Sequence, residues 1–303
     1  MIEIGKERVF HSSEEIGKVV IRRFAAAVSD YNPLYWDEEY GKKLPYGEII
    51  APPTLVFEMI YDVRGEMSEN GSHQGLQTWF KPLKHLQRVG NEYEIFQPLR
   101  PKDIITFKRK IIDVKEKQGK TGKWVFVSSE ITYTNQREEL LGIDKETLAS
   151  QLSEISAGER KENEDSETRR PSIDVENGIG IPPLILTVTI TQLVKYCAAT
   201  WDFSRVHYDE EFAKSLGFQR PVVDPQMYGA FFAGMLVNST EGRLKQLRMR
   251  YRAPSFVGDT LSFKSKIINK YTKEDERYID CNLLVENQKG MRLVEGTAII
   301  SLP

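Results

Sequence analysis

The chain has 303 residues, 40% of them hydrophobic and 28% charged, which suits two ordinary globular cores rather than a disordered or fibrous chain. Its 42 Lys and Arg residues nearly balance 44 Asp and Glu residues, for a net charge of −2. No general attraction to nucleic acid or anionic membrane is therefore expected, and any anion site must be local.

The first residues, MIEIGKERVFHSSEEIG, are acidic early and lack an apolar core, which argues against a signal peptide and for a cytoplasmic location. No run of 18 apolar residues suggests a spanning helix. Ser12 or Ser13 leads into a predicted helix, EEIGKVVIRRFAAAV, followed by a loop with Asp30 and a short helical DEEY segment whose acidic first turn suits a helix N-terminus. A further apolar helix is expected at about TLVFEMIYDV. Alternating strand-like runs follow in NEYEIFQPL, DIITFKRKIIDV and WVFVSSEITYTN. Residues 144–179, including AGERKENEDSETRRPS, have dense charge and no apolar period, and read as a linker. The order then repeats. Thr189 or Thr191 leads into QLVKYCAAT, a loop holds Asp202 and His207, and DEEF and the apolar QMYGAFFAGML follow. Strand-like runs close the chain in LKQLRMRYRAP, DTLSFKSKIINK, YIDCNLLVE and GTAIISL. Their alternation argues for antiparallel sheets with one wet face, and the element order for an α+β fold.

The repetition is literal. FAAAVSDYNPLYWDEEYGKKL (24–44) and YCAATWDFSRVHYDEEFAKSL (196–216) align without a gap at an offset of 172. They match at Ala26/Ala198, Ala27/Ala199, Asp30/Asp202, Asp37/Asp209, Glu38/Glu210, Glu39/Glu211, Lys42/Lys214 and Leu44/Leu216. In both copies a β-branched pair then leads into proline, in IIAPP and VVDPQ. Shared order of so many unlike residue types implies duplication, and the period is too long for a solenoid. The expected organisation is a domain over 1–143, a charged linker over 144–179 and a second domain over 180–303. Cys197 and Cys281 read as buried reduced thiols. The four histidines, with no CxxC or HExxH spacing, give no support for a dedicated metal site.

FAAAVSDYNPLYWDEE with IIAPPTL resembles the N-terminal hotdog half of MaoC-like dehydratases. YCAATWDFSRVHYDEEFAKSLGFQRPVVD resembles the catalytic half of the same fused proteins, the (R)-specific enoyl-CoA hydratase type. RAPSFVGDTLSF is similar to that family's Pro-x-x-x-Gly-Asp segment, with RPKDIITF as its counterpart in the first half. The resemblance implies two tandem hotdog domains, each an antiparallel sheet wrapped around a central helix, pairing as a pseudo-dimer. It also implies an active site at their junction, where an Asp and a His hold a water. Carried over by position, the pair is Asp202 and His207. In the first half Asp30 is kept but Tyr35 replaces the His, so a single competent site is expected.

Hydration of an α,β-unsaturated thioester needs a base to activate water and an acid to protonate Cα, and an imidazole titrating near neutrality can serve both ends. Asp202 would orient the water and is able to supply the proton. Because Asp30 persists where the His is gone, an architectural role for the aspartate stays open beside the catalytic one. The enolate oxygen requires donors at a helix N-terminus. The family's His–Gly is Asp224–Pro225 in this chain and proline has no N–H, which leaves the Gln226 N–H as the nearest donor. Arg248, Arg250 and Arg252 alternate and project from one face of a strand, where they would suit a CoA phosphate. A solvated outer face paired with acidic neighbours is an equal reading. Trp79 and Trp124 read as core.

The function so expected is a hydro-lyase of fatty acid metabolism that interconverts a trans-2-enoyl-CoA and an (R)-3-hydroxyacyl-CoA. It would need no metal or organic cofactor, take an acyl-CoA as its partner, and have no nucleic-acid or membrane partner; self-association into a homo-oligomer stays open. A hotdog acyl-CoA thioesterase and a non-catalytic acyl-CoA-binding subunit are the alternatives. Acyl length, branching or a second carboxylate, and CoA versus a carrier-protein thioester, are not legible.

Overall fold

The computed structural model describes the chain except residues 1, 13, 61–63, 74–78, 82, 84–85, 120–121 and 153–179. The first half comprises β1 (Glu7–His11), α1 (Lys18–Ala27), α2 (Pro33–Trp36), α3 (Glu38–Gly41), α4 (Leu55–Glu58), β2 (Gln87–Ile95), β3 (Ile105–Gly119), β4 (Gly122–Asn135) and β5 (Leu140–Gln151). The second comprises β6 (Leu184–Thr187), α5 (Ile190–Thr200), a 3-10 turn (Arg205–His207), α6 (Glu210–Ser215), α7 (Pro225–Thr240), β7 (Arg243–Tyr251), β8 (Thr260–Lys273), β9 (Glu276–Asn287) and β10 (Arg292–Leu302).

All ten strands form one sheet in the order β1-β3-β4-β5-β2-β7-β10-β9-β8-β6. The order reads the same from either edge: β1, β3, β4, β5, β2 of one half answer β6, β8, β9, β10, β7 of the other. The halves join where β2 pairs antiparallel with β7, with Glu92 opposite Arg248 and Gly90 opposite Arg250. Two hotdog units thus share one continuous sheet, as expected for an α+β pseudo-dimer.

The central helix differs between halves. In α7 every residue from Gln226 to Val237 is buried, so the helix has no polar face and lies within the core. Glycines bring it close to both halves. A Cβ at Gly229 would lie 2.8 Å from Met249 and 3.3 Å from Tyr93, and one at Gly234 would lie 2.8 Å from the Asp30 carboxylate. The counterpart α4 has four residues, shorter than the helix expected over TLVFEMIYDV, of which residues 61–63 lie outside the described residues.

Other boundaries also shift. The α1 N-cap is Gly17 rather than Ser12 or Ser13, and Thr189 caps α5 by accepting from the Gln192 N–H. Edge strands β1 and β6 precede the helices of each half and were not anticipated. Strand β5 runs to Gln151, so residues 144–151 are sheet and not linker. Asp144 and Glu146, which make this stretch look solvated, are buried. Glu146 pairs with Arg88 at 2.6 Å and with Arg109, and the Asn91 amide donates to both Asp144 oxygens at 3.0 Å. Buried charge is tolerated when paired and hydrogen-bonded. The rest of the expected linker, residues 153–179, lies outside the described residues. Among the described residues, no helix is long and apolar enough to cross a membrane. Cys197 and Cys281 are free and buried.

Candidate active site

Both copies of the duplicated segment fold the same way. Helices α1 and α5 stop at residues in the left-handed region, Ser29 (φ 54) and Trp201 (φ 63), 172 positions apart. The next residue makes the same turn in each: Asp30 Oδ1 accepts from the Asn32 N–H at 3.2 Å and Asp202 Oδ1 from the Ser204 N–H at 3.0 Å. Further on, the Ile50 N–H donates to Leu34 O and the Val222 N–H to Val206 O, both at 3.0 Å. Asp37 and Asp209 then cap α3 and α6. The duplication is therefore structural down to individual hydrogen bonds, and the aspartate has a backbone role in both halves.

His207 is buried, with Nδ1 2.8 Å from the Val222 carbonyl. A carbonyl only accepts, so Nδ1 carries a proton, and in the neutral tautomer this leaves the lone pair on Nε2. Nε2 faces Asp224 Oδ2 at 3.9 Å. One polar atom from each of Asp202, His207 and Asp224 lies within 4.8 Å of the other two. The 3.9 Å between Nε2 and Oδ2 leaves room for one water in contact with both. The three side chains are also of the types that ligate a metal ion.

Asp224 is the N-cap of α7, with Pro225 at the first helical position. Its Oδ1 accepts from the Gln226 N–H at 2.8 Å. The backbone donor expected for an enolate oxygen is thus already occupied, because a carboxylate cap sits where the helix would otherwise offer its N–H. The Gln226 side-chain Nε2, by contrast, is buried and has no hydrogen-bond partner among the described residues. Burial pushes the Asp224 carboxyl above its ordinary value, and the nearby Asp202 charge adds to this against the pull of His207.

Glu58 on α4 was not anticipated. It is buried and accepts from the Tyr196 hydroxyl of the other half at 2.9 Å. Burial first, then the Asp224 charge, holds its carboxyl well above the usual carboxylate range. A lone acidic residue inside the apolar TLVFEMIY was the available signal. The first half also braces the site loop. Asn70 O accepts from the Arg205 N–H at 2.9 Å, and His73 Nε2 donates to Trp201 O at 3.1 Å. Between them Gly71 (φ 78) approaches so closely that a Cβ would fall 1.7 Å from Phe203 O.

The other expected residues do not converge there. Arg248 and Arg250 are exposed on the face of β7 opposite Met249, the residue that touches α7, and Arg252 follows just beyond the strand. Arg248 pairs with Glu92 at 3.6 Å and Arg252 with Glu295 at 2.6 Å. This is the arrangement of the outer-face reading.

Among the described residues, half-buried Asp202 and buried His207 and Asp224 thus meet in one cluster of acid/base side chains on a tandem hotdog fold. Residues 4–142 match the family model for a FAS1-like dehydratase domain region, and residues 176–287 match that for a MaoC-like domain. The chain thus carries a FAS1-like dehydratase region and a MaoC-like domain in tandem, in the fold of the solved MaoC-like dehydratases. It is 33% identical over 105 residues to a UPF0336 protein of Streptomyces avermitilis, a match covering 35% of this chain and 66% of that protein. It is 27% identical over 116 residues to the (R)-specific enoyl-CoA hydratase of Aeromonas caviae, covering 37% of this chain and 84% of that one. A solved MaoC-like dehydratase superposes with a TM-score of 0.77 at 18% identity, over 99% of this chain and 98% of its own.

Proposed function

We propose that the chain hydrates a trans-2-enoyl-CoA reversibly to the (R)-3-hydroxyacyl-CoA, with Asp202 and His207 as the pair that binds and activates the water. The observation that carries this reading is the His207 ring. Its Nδ1–H is engaged by the Val222 carbonyl, which leaves Nε2 as an acceptor beside Asp202, in the one half that retains the histidine. The named hydratase among the relatives and the dehydratase family models support it.

Water held between Asp202 and Nε2 is positioned to give its proton to the imidazole as its oxygen attacks Cβ. The fixed tautomer means no ring flip is needed. The Gln226 amide N–H, buried and unpartnered, is the donor we assign to the thioester oxygen on which charge develops. The CoA thioester is substrate, and no further organic group is required by these steps. Arg248, Arg250 and Arg252 would meet CoA phosphates only along the outer face, with Arg248 and Arg252 exchanging their glutamates. The cytoplasm is the proposed location.

The test is a hydration screen over short, long, branched and dicarboxylic enoyl-CoAs, with Asp202→Asn and His207→Ala alongside. Loss of the conjugated absorbance without free thiol is expected from the wild type. Free thiol release at the same rate would make the protein a thioesterase instead.

A further inference from the structure

We propose that Asp224 is the general acid of this site, carrying on Oδ2 the proton that is delivered to Cα. This rests on the hydratase reading and assigns the proton to a residue that the Asp202–His207 pair alone leaves out.

Three observations converge on Asp224. The first is the pattern of loss between the copies. At the offset of 172, Asp202 is answered by Asp30, His207 by Tyr35 and Asp224 by Pro52. The half that lost its histidine kept the turn-forming aspartate and lacks the other carboxyl. Asp224 therefore goes with His207, whereas the turn made by the aspartate is kept with or without the histidine.

The second is how the carboxyl is held. Oδ1 is saturated by the Gln226 N–H at 2.8 Å, and Pro225 brings no N–H of its own. Oδ2 is the oxygen turned to His207 Nε2, at 3.9 Å. That separation is too long for a direct hydrogen bond and short enough for a reacting carbon or a water to stand between and touch both.

The third is the surrounding charge. Asp202 lies beside Asp224 in the second half, and buried Glu58 on α4 and Arg88 on β2 act on it from the first. Tyr196, Cys197, Tyr228 and Tyr251 complete the titratable groups around it. Two carboxyls within reach of one water cannot comfortably share full negative charge, and the more buried one keeps the proton. Asp224 is buried while Asp202 is only partly so.

The cycle balances. The O–H bond of the water breaks as its oxygen bonds to Cβ, and that proton goes to Nε2. The π pair of the double bond forms the Cα–H bond with the proton leaving Oδ2. The imidazolium then returns its proton to the Asp224 carboxylate, so both groups are restored and one water has been added.

Asp224→Asn keeps the Oδ1 acceptor for the Gln226 N–H and an equally good helix cap, but has no proton to give. With a trans-2-enoyl-CoA that the wild type hydrates, kcat is expected to fall roughly 10²–10³-fold with KM changed less than about threefold. The alkaline limb of the wild-type kcat profile should vanish in the variant. Asp224→Ser, which also caps, should behave alike. Wild-type kcat in a folded Asp224→Asn protein would overturn the assignment, leaving the hydratase reading intact. If neither variant folds, the wild-type profile decides: a decline on the alkaline side supports the acid, and a flat profile overturns it. No turnover of any enoyl-CoA by the wild type sinks the hydratase reading itself, and the assignment with it.

Discussion

Asp30 of the first half is bound to Asn238 of α7, whose side-chain amide donates to Asp30 Oδ1 at 3.1 Å across the junction of the two halves. The Asn32 amide closes the link by donating to Asn238 Oδ1 at 2.6 Å. The aspartate left behind in the degenerate copy thus holds the central helix of the working copy. Gly234 makes this approach possible, since a Cβ there would meet the Asp30 carboxylate.

The two equivalent aspartates should therefore separate under mutation. Asp30→Ala leaves the Asn238 amide and the Asn32 N–H without their acceptor, at a cost of about 1–3 kcal/mol in unfolding free energy. Turnover per folded molecule should change little. Asp202→Asn should do the reverse, with a loss in kcat of about 10²-fold or more and a near-normal melting temperature. Urea titration and steady-state kinetics on the same preparations check both.

Burial holds the Glu58 carboxyl well above the usual carboxylate range and so favours its neutral form. Glu58→Gln keeps an acceptor for the Tyr196 hydroxyl and should cost less than about 1 kcal/mol, whereas Glu58→Ala leaves that hydroxyl buried and unsatisfied, at about 1–3 kcal/mol. A Gln variant as damaged as the Ala variant would mean that the carboxylate, not the acid, is the native form.

Gly71 is required twice over, by its positive φ and by Phe203 O standing where a Cβ would go. Gly71→Ala must displace the loop that braces Trp201–Arg205. We expect a loss of about 1–3 kcal/mol from the left-handed backbone and the displaced contact. We also expect a drop in kcat larger than any change in the melting temperature explains, because the Trp201–Arg205 segment that Gly71 packs against carries Asp202. Kinetics with a melting curve tests it.

Much of this site was legible in sequence, and the reasons it was not fully so are local. The duplicated segment exposed Asp202, His207 and the replacement Tyr35 because order survives divergence even when composition drifts. At positions 224–225 the sequence shows chiefly a lost donor, since Pro225 has no N–H, and leaves the Asp224 side chain without a role. That it brings a carboxyl into the site depends on helix α7 starting there and on the His207 rotamer, neither of which a one-dimensional pattern encodes. Strand β5 was mistaken for linker because Asp144, Lys145 and Glu146 look solvated until Arg88, Arg109 and Asn91 arrive from other strands to satisfy two of them. The alternation rule placed Arg248 and Arg250 together correctly. It could not choose between solvent and ligand, which Glu92 and Glu295 help decide.

Buried Asp144 gives the fold a pH signature. Burial, and then the neighbouring Glu146, pushes the Asp144 carboxyl from 3.8 up to about 7. The folded state holds this proton more tightly than the unfolded chain. The stabilisation is therefore fully present below the unfolded value and is lost as pH rises through about 7. Unfolding free energy should be higher at about pH 5.5 than at about pH 8.5, and Asp144→Asn should shrink the difference. A variant with an unchanged pH dependence would show that Asp144 is ionised throughout.

The hydratase proposal is tested most directly by one comparison: the conversion of a trans-2-enoyl-CoA by the wild type and by His207→Ala, followed by absorbance with chiral analysis of the product. It predicts the (R)-3-hydroxyacyl-CoA without free thiol from the wild type. It predicts a rate lower by about 10²–10⁴-fold in the variant, the contribution of one positioned acid/base group. Equal rates in the two proteins would contradict it, because Tyr35 leaves the first half no second imidazole with which to do the work.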